Sequence, residues 1–460
     1  MNRTTLQAAT IGFALCLASP VEAQTLRSAT YKGWNAYVLE NDLVRVHVVP
    51  DIGGRVIQYA LGEKAFFWVN PDLLGKTSPR TGLGPDGGWL NYGGDKLWPA
   101  PQGWDNEHQW PGPPGAVLDG RPYRAETDPA APAIRLTSRD DPQTGIRFSR
   151  RIRLHPRSTH VSVQAAMTNV DDEPRRWGIW AHTQLDAGRA DGDEEYNRLL
   201  RAWCPINPRS KFERGYRVIF GKKDNPSFEA DARRGLLTVS YRYRVGKIGL
   251  DSHAGWVATV DGRTGHVFVQ RFRYDPDKPY PDGSSVEFWH NGVGRIHAYN
   301  KWMDMPDDPA ENPCVFESEL LSPYARLKPG ERFTWSYDWY ACRIGGDFPV
   351  RECTPAGVVS EPLACRRDRD GRRLRLRGRF GVFHLGRLVL QACDEESAVL
   401  ATEILQPHAT PLKPLVLDRT IQLPSATSSI AVVLQDTQGK TIGVISRWDG
   451  DLPDMADCGL

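Results

Sequence analysis

The chain has 460 residues, of which 58 are lysine or arginine and 56 are aspartate or glutamate. This near balance excludes the strongly basic composition of nucleic-acid-binding proteins and favours neither a nucleic acid nor an anionic membrane as partner. The length suggests more than one domain, and one of them can be a single large β-sandwich.

The N-terminus has the layout of a secretory signal. A positive charge at Arg3 precedes an apolar run over residues 8–17, and residues 21–23 offer the small side chains that signal peptidase requires. The apolar run is too short to span a bilayer. The sequence therefore predicts a signal peptide over residues 1–23, cleavage before Gln24, and a periplasmic or secreted mature chain that does not insert into a membrane.

Period-two alternation of apolar and polar residues dominates the chain that follows, and it is typical of strands with one buried face. The clearest runs are residues 43–49, 146–154, 161–167, 177–185, 236–245, 266–274, 286–290, 315–321 and 333–341. Residues 194–203 alone indicate a helix. So many strands without alternating helices predict an antiparallel all-β fold.

Residues 70–132 break the alternation. They are rich in proline and glycine and contain Trp89, Trp98, Trp104 and Trp110. A long irregular segment inside a domain is usually a functional loop or a disordered linker, and disordered segments are poor in aromatic residues. We therefore expect an ordered loop region that folds over one face of the sandwich.

A domain boundary is predicted near residues 349–362. Short, regularly spaced strands follow it, and they favour a small immunoglobulin-like β-sandwich over residues 351–460, after a large domain over residues 24–350. In an exported chain, Cys342 with Cys353 and Cys365 with Cys393 are the nearest candidate disulfides. The cysteines have no zinc-ligand spacing, so no metal site is expected.

Three segments resemble the galactose-mutarotase superfamily. They are Val-Pro-Asp-Ile-Gly-Gly-Arg-Val-Ile at residues 49–57, Gly-Gly-Asp-Lys-Leu-Trp-Pro-Ala-Pro-Gln at residues 93–102, and Val-Phe-Glu-Ser-Glu-Leu-Leu-Ser-Pro at residues 315–323, which precedes a Leu-Lys-Pro-Gly-Glu turn. The second segment is similar to one found in an uncharacterised exported bacterial family of that superfamily. The resemblance implies a large antiparallel supersandwich with a sugar site on its concave face.

The resemblance also implies site residues. Mutarotases use a histidine as general acid at the ring oxygen and a glutamate as general base at the anomeric hydroxyl, with no cofactor. Here these roles would belong to His182 and to Glu317 or Glu319. The segment around His182, Ala-His-Thr-Gln-Leu, lacks the Tyr-Phe pair and the asparagine of the mutarotase motif His-x-Tyr-Phe-Asn-Leu.

Strand alternation supports the same residues. It places Trp180, His182 and Gln184 on one face of a strand, and Glu317 with Glu319 on one face of another. Two neighbouring carboxylates raise the pKa of one of them, which suits proton transfer near neutral pH. Further substrate-binding candidates are Arg55, Asp95, Lys96, Trp98 and His290, whose charged, aromatic or imidazole groups suit sugar hydroxyls and apolar sugar faces.

Three functions are consistent with these residues. The first is an enzyme at a sugar anomeric centre, most simply an aldose 1-epimerase. The second is a glycoside hydrolase or polysaccharide lyase on the same fold, for which carboxyl separation is the criterion. The third is a non-catalytic carbohydrate-binding protein of a glycan-degrading system. Each takes a mono- or oligosaccharide as ligand, and the sequence leaves the sugar and the oligomeric state open.

Overall fold

The computed structural model describes residues 24–128, 131–188, 196–367 and 373–449, so the predicted signal peptide lies outside the described residues. Their regular structure is almost entirely β-strand. The strands are β1 (Thr25–Tyr31), β2 (Trp34–Glu40), β3 (Val44–Val49), β4 (Arg55–Leu61), β5 (Lys64–Ala65), β6 (Asp95–Ala100), β7 (Arg124–Asp128), β8 (Ala133–Thr137), β9 (Ile146–Leu154), β10 (Val161–Asn169), β11 (Arg175–Asp186), β12 (Leu200–Pro205), β13 (Arg217–Gly221), β14 (Phe228–Asp231), β15 (Leu236–Ser240), β16 (Gly246–Leu250), β17 (Trp256–Asp261), β18 (His266–Phe272), β19 (Val286–His290), β20 (Gly294–Ala298), β21 (Lys301–Met305), β22 (Val315–Leu321), β23 (Ala325–Leu327), β24 (Arg332–Arg343), β25 (Glu352–Cys353), β26 (Gly357–Arg367), β27 (Leu374–Val382), β28 (Gly386–Cys393), β29 (Val399–Ala409), β30 (Leu415–Ile421), β31 (Ser429–Gln435) and β32 (Thr441–Asp449).

Short helical turns connect some of these strands. Within the described ranges they lie at Pro71–Leu73, Pro85–Gly87, Ala116–Gly120 and Pro281–Gly283. No helix of the described residues has the length and apolar character needed to cross a membrane.

Two large antiparallel sheets form the main body. The first has the order β1-β2-β3-β4-β6-β11-β22-β19-β16-β13, and the second has the order β14-β15-β12-β17-β18-β24-β10-β9-β8-β7. Their facing sides share one hydrophobic core, in which Tyr59 of the first sheet contacts Phe268 and Trp339 of the second. The predicted antiparallel all-β fold is confirmed.

Burial follows alternation at the periphery and departs from it at the centre of the first sheet. Along β9, buried residues alternate with partly exposed ones, as expected for a strand with one covered face. In contrast, β22 is buried along both faces, and so is β11 from Trp177 to Leu185. One face of these strands packs on the second sheet. The other face is covered by part of the segment between β5 and β7 and by the separate hairpin β20–β21, and the candidate site lies beneath this cover.

The last eight strands build a smaller sandwich. Its sheets have the orders β25-β26-β27-β30 and β29-β28-β31-β32, and Leu376, Leu390 and Val432 lie in a hydrophobic core of their own. No disulfide joins the described cysteines, so the pairings suggested from proximity in sequence do not occur. Cys342 and Cys365 instead pack as apolar side chains in two different clusters.

Two local predictions were wrong. Residues 200–203 belong to strand β12, not to a helix, because pairing with β15 and β17 on both sides overrides local helix propensity. Residues 95–100, predicted as loop, form the central strand β6. Its single proline, Pro99, is tolerated because β6 pairs with β4 only through Asp95 and Val56, which leaves much of that side without a ladder.

Candidate functional site

Strand order and register bring the candidate side chains to one face of the first sheet. In the neighbouring strands β6, β11 and β22, His182 lies opposite Lys96 on one side and opposite Glu319 on the other. Gln184 likewise lies opposite Glu317. Since directly opposed residues in an antiparallel pair point to the same face, the period-two spacing seen in each strand continues across three strands.

His182 and the two glutamates converge. The Nε2 atom of His182 lies 2.9 Å from Oε2 of Glu317 and 3.9 Å from Oε1 of Glu319. The second oxygen of Glu317 accepts a hydrogen bond from the amide of Gln184 at 2.8 Å. Trp180 Nε1 donates to Oε2 of Glu319 at 2.7 Å. Each carboxylate thus has one oxygen held by a neighbouring donor and the other near His182.

Two charged residues that sequence reasoning missed complete the cluster. The ammonium group of Lys247 lies 2.9 Å from Oε2 of Glu287, 3.2 Å from Oε2 of Glu319 and 4.1 Å from the centre of the Trp180 ring. Burial by itself would lower the pKa of Lys247, but the carboxylates of Glu287 and Glu319 outweigh it and raise that pKa. Lys247 lies on β16 and Glu287 on β19, and these strands reach the cluster only through the sheet order β22-β19-β16. No local sequence signal therefore marks the two residues.

Burial shifts the pKa values of His182 and Glu317 in opposite directions. It lowers the pKa of His182 well below the ordinary value, and the nearby charge of Lys96 lowers it further. Burial raises the pKa of Glu317, against the opposing effect of Lys96. Both shifts move the balance of a proton shared by this pair from the imidazole toward the carboxyl group.

Lys96 is a fully buried lysine with no hydrogen-bond partner. Its ammonium lies 4.8 Å from the centre of the Trp98 ring and 5.6 Å from that of Trp89. Burial, followed by repulsion from Arg55, lowers its pKa from 10.5 to about 7. The folded protein consequently disfavours the charged form of this side chain.

We predict a pH-dependent stability effect for Lys96→Met. A lysine whose pKa is lowered on folding contributes stability above pH 10.5, and that contribution is lost as the pH falls through about 7. Methionine has no proton to bind. The variant should therefore gain about 4 kcal/mol relative to the wild type on going from pH 10 to pH 6.5, because each pH unit between the two pKa values changes the free energy of unfolding by about 1.4 kcal/mol. Denaturant unfolding at the two pH values measures this, and an equal difference at both would contradict it.

Three predicted binding residues do not reach this cluster. Arg55 donates to backbone oxygens of Ile52 and Gly93 and forms a buried ion pair with Asp119 at 2.8 Å. Asp95 points to the opposite face of β6, into the core between the sheets. His290 also faces the core and packs against Phe228, Tyr241 and Phe316. All three side chains are fully buried. When a strand is covered on both faces, alternation does not show which of the two faces belongs to the site.

Arg55 nevertheless acts on the site indirectly. Its partner Asp119 accepts hydrogen bonds from the indole nitrogens of Trp98 at 2.9 Å and Trp89 at 2.6 Å. The ring of Trp98 lies 4.2 Å from that of His182, centre to centre. The Arg55–Asp119 pair therefore fixes the orientation of two indoles, one of which packs on the central histidine.

A cavity of about 280 Å³ opens above the cluster. Its sheet side includes Trp98, Trp180, His182, Gln184, Lys247, Trp289, Glu317 and Glu319. Its cover comes from Trp89, Trp104 and Pro113 of the irregular segment and from the β20–β21 hairpin. The two parts of the cover are joined, since Tyr299 donates a hydrogen bond to the backbone oxygen of Pro113 at 2.6 Å. The predicted placement of an aromatic-rich segment over one face of the sandwich is confirmed.

Several buried polar atoms around the sheet side of the cavity have no hydrogen-bond partner among the described residues. They are Nζ of Lys96, Nδ1 of His182, and one side-chain oxygen each of Gln184, Glu287 and Glu319. Buried polar groups are normally hydrogen-bonded, so a cluster of unpartnered ones indicates a place for a polar ligand or for water.

The same cluster has donor atoms that suit a metal ion. Ligand atoms of His182, Glu317 and Glu319 lie within 4.8 Å of one another. A metal-bound histidine almost always donates its other ring nitrogen to an acceptor, and Nδ1 of His182 has none. Lys247 already places a cation against Glu319. The environment of the three residues therefore suits proton transfer better than metal binding.

A family comparison identifies the chain. A model of the family described as a domain of unknown function, DUF4380, matches residues 35–342. The chain belongs to the DUF4380 family. All site residues named above lie within the matched range.

The DUF4380 chain is also similar to solved structures. A galactose mutarotase related enzyme from Lactobacillus acidophilus has 13% identity and a TM-score of 0.40, over 66% of this chain and 96% of that chain. A galactose mutarotase-like protein from Lactobacillus casei has 11% identity and a TM-score of 0.42, over 66% and 99%. A TPR-domain containing protein from Parabacteroides distasonis has 16% identity and a TM-score of 0.42, over 69% of this chain but only 48% of that chain.

Proposed function

We propose that this protein binds a free aldose in the cavity and interconverts its anomers by general acid–base catalysis. The observation that carries the proposal is the convergence of His182, Glu317 and Glu319, with a 2.9 Å contact between His182 and Glu317, on the floor of an aromatic-walled cavity. Acid and base must each come within hydrogen-bond reach of one reacting centre, and these groups satisfy that requirement.

The hydrogen bonds suggest how the roles divide. Glu317 uses one oxygen for Gln184 and the other for His182, so we assign the role of general acid at the ring oxygen to the Glu317–His182 pair in its protonated form. Glu319 has one oxygen bound by Trp180 and Lys247, and the other has no partner. That unpartnered oxygen is the general base at the anomeric hydroxyl.

The reaction then balances without an external reagent. Glu319 takes the proton of the anomeric hydroxyl, the bond between the anomeric carbon and the ring oxygen breaks as a carbonyl forms, and the Glu317–His182 pair protonates the ring oxygen. Rotation of the carbonyl by half a turn and reversal of the same transfers closes the ring as the other anomer. The half-buried indole of Trp289 lines the cavity and is placed to stack on the apolar C–H surface of the sugar.

Non-catalytic carbohydrate binding is the second candidate. The aromatic lining and the unpartnered polar atoms would serve binding as well as turnover. Inverting hydrolysis is less favoured, because Glu317 and Glu319 lie two residues apart on one strand and have carboxylate oxygens within 4.8 Å of each other. An inverting hydrolase needs about 6.5–9.5 Å between its carboxyl groups, with room for a water molecule.

Polarimetry on freshly dissolved single anomers of a panel of aldoses tests the proposal. We expect the protein to accelerate mutarotation of at least one aldose in proportion to its concentration. Titration of tryptophan fluorescence with the same sugars reports binding independently. Saturable binding with no acceleration for any sugar would favour the non-catalytic carbohydrate-binding protein over the enzyme. Absence of both binding and acceleration for every sugar would contradict both candidate functions.

We further propose that the chain is exported. The signal layout of residues 1–23 supports this. N-terminal sequencing of the protein recovered from the periplasm or the medium should begin at Gln24, and full-length protein retained in the cytoplasm would contradict the proposal.

A further inference from the structure

The two ends of the cavity differ in chemistry. At the end formed by β6, β11 and β22, the unpartnered polar atoms of His182, Gln184 and Glu319 are next to the reacting position. The other end begins at Trp289 of β19, which lies directly opposite Glu317, and extends to β13 and the β20–β21 hairpin. There Phe220, Trp289, Ile296, Ala298, Met303 and Met305 form one apolar cluster, and all of them line the cavity.

Polar groups at the apolar end are already bound within the protein. Trp104 Nε1 donates to the backbone oxygen of Pro111 at 2.9 Å, and Trp289 Nε1 donates to the side chain of Asn291 at 3.0 Å. Asn291 in turn donates to the backbone oxygen of Pro313, and the hydroxyl of Tyr299 donates to that of Pro113. The side chains of Ile296, Ala298, Met303 and Met305 themselves offer at most a weakly accepting thioether sulfur, so a ligand hydroxyl group placed among them would gain little in return for its bonds to water.

We infer that the preferred substrate is an aldose that carries a methyl group where the common sugars carry a hydroxymethyl or hydroxyl group. The inference rests on the proposed function and names its substrate class. The acid and base hold the anomeric carbon at the polar end, so the remote side of the ring extends toward the apolar cluster. A 6-deoxy or O-methyl substituent matches that surface, and the flexible thioethers of Met303 and Met305 can adapt to it.

The physical cause of the preference is desolvation. A methyl group buried against carbon and sulfur is removed from water at a gain, whereas a hydroxyl group in the same place loses its bonds to water without replacement. Apolar pockets discriminate against an added hydroxyl group by about 10–100-fold. We expect kcat/KM to favour the methyl-bearing sugar by that factor.

Matched sugar pairs test the inference in the full chain. L-Rhamnose against L-mannose and L-fucose against L-galactose differ only in the hydroxyl group at carbon 6, and 3-O-methyl-D-glucose against D-glucose tests the ether. For each pair, kcat/KM is measured by polarimetry and Kd by tryptophan fluorescence. At least one pair should favour the methyl form by about tenfold or more. The pair that responds distinguishes a 6-deoxy sugar from a methyl ether.

Variants of the hairpin locate the preference. Met303→Gln and Met305→Gln place an amide at the apolar end, and at least one of them should lower the methyl-to-hydroxyl ratio by about three- to tenfold. Asp304→Gln places the same amide on the opposite, exposed side of that strand, so it is the matched control and should keep the wild-type ratio. Met303→Leu keeps an apolar side chain of similar size and should also keep it. Thermal unfolding identifies any variant that fails to fold.

The outcomes separate the two proposals. Turnover of the hydroxyl-bearing sugars equal to or faster than that of their methyl partners would overturn the inference and leave the epimerase proposal intact. Binding without turnover, with Kd favouring the methyl sugars, would support the inference and reject catalysis. If no sugar of the panel binds or reacts, both fail. If the glutamine variants do not fold, the wild-type ratios decide the inference alone.

Discussion

Glu319→Gln should lower kcat for anomer interconversion by about 10²–10⁴-fold, the range expected for loss of a general base. The glutamine side chain keeps an oxygen that can accept the hydrogen bond of Trp180 and the contact of Lys247, so the cavity should keep its shape. What it loses is the unpartnered carboxylate oxygen 3.9 Å from His182. Sugar binding, followed by tryptophan fluorescence, should change much less than kcat.

A matched control is available on the protein surface. Glu229 is an exposed glutamate on β14, outside the cavity, and Glu229→Gln should leave both kcat and sugar binding unchanged. If Glu319→Gln kept activity within about tenfold of the wild type, Glu319 would not be the base, because that loss is smaller than removal of an acid–base group causes. Glu317→Gln would then be the variant to compare.

Asp95→Asn should lower the free energy of unfolding by about 3–5 kcal/mol, because it leaves a buried guanidinium without its counter-charge. Arg150 contacts Asp95 Oδ1 at 2.5 Å, and the hydroxyl of Thr183 donates to the other carboxylate oxygen at 2.7 Å. Arg150 also donates to the backbone oxygen of Gly54 at 2.6 Å, so it holds the turn before β4. Both charged side chains are fully buried.

The ion pair between Arg147 and Asp140 is the control for this prediction. Both of its side chains are about half exposed, at 42% and 55%, so Asp140→Asn should change the free energy of unfolding by less than about 1 kcal/mol. Denaturant titration of the three proteins measures the difference. Equal stability of Asp95→Asn and the wild type, together with weaker sugar binding, would return Asp95 to the substrate-binding role suggested by its motif.

Alternation made part of the site predictable. Because successive side chains of a strand point to opposite faces, His182 had to share a face with Gln184, and Glu317 with Glu319, whichever strands were their neighbours. The same rule could not place His290. Its strand, β19, is covered on both faces, so the pattern does not show that His290 faces the core and not the cavity. The face of Asp95 could not be predicted for the same reason, since Asp95 and Lys96 occupy opposite faces of the fully buried β6.

The sequence by itself determined the clearly alternating strands, the faces that their residues share, and the aromatic character of the segment over the site, because these properties depend on residues close together in the chain. Sheet order decided the rest. Lys96, Lys247 and Glu287 meet the His182–Glu317–Glu319 cluster only because β6, β11, β22, β19 and β16 are neighbours, and that order is set by the packing of the whole domain. Burial in that setting then shifted the proton affinities of His182, Glu317 and Lys96, which no local pattern encodes.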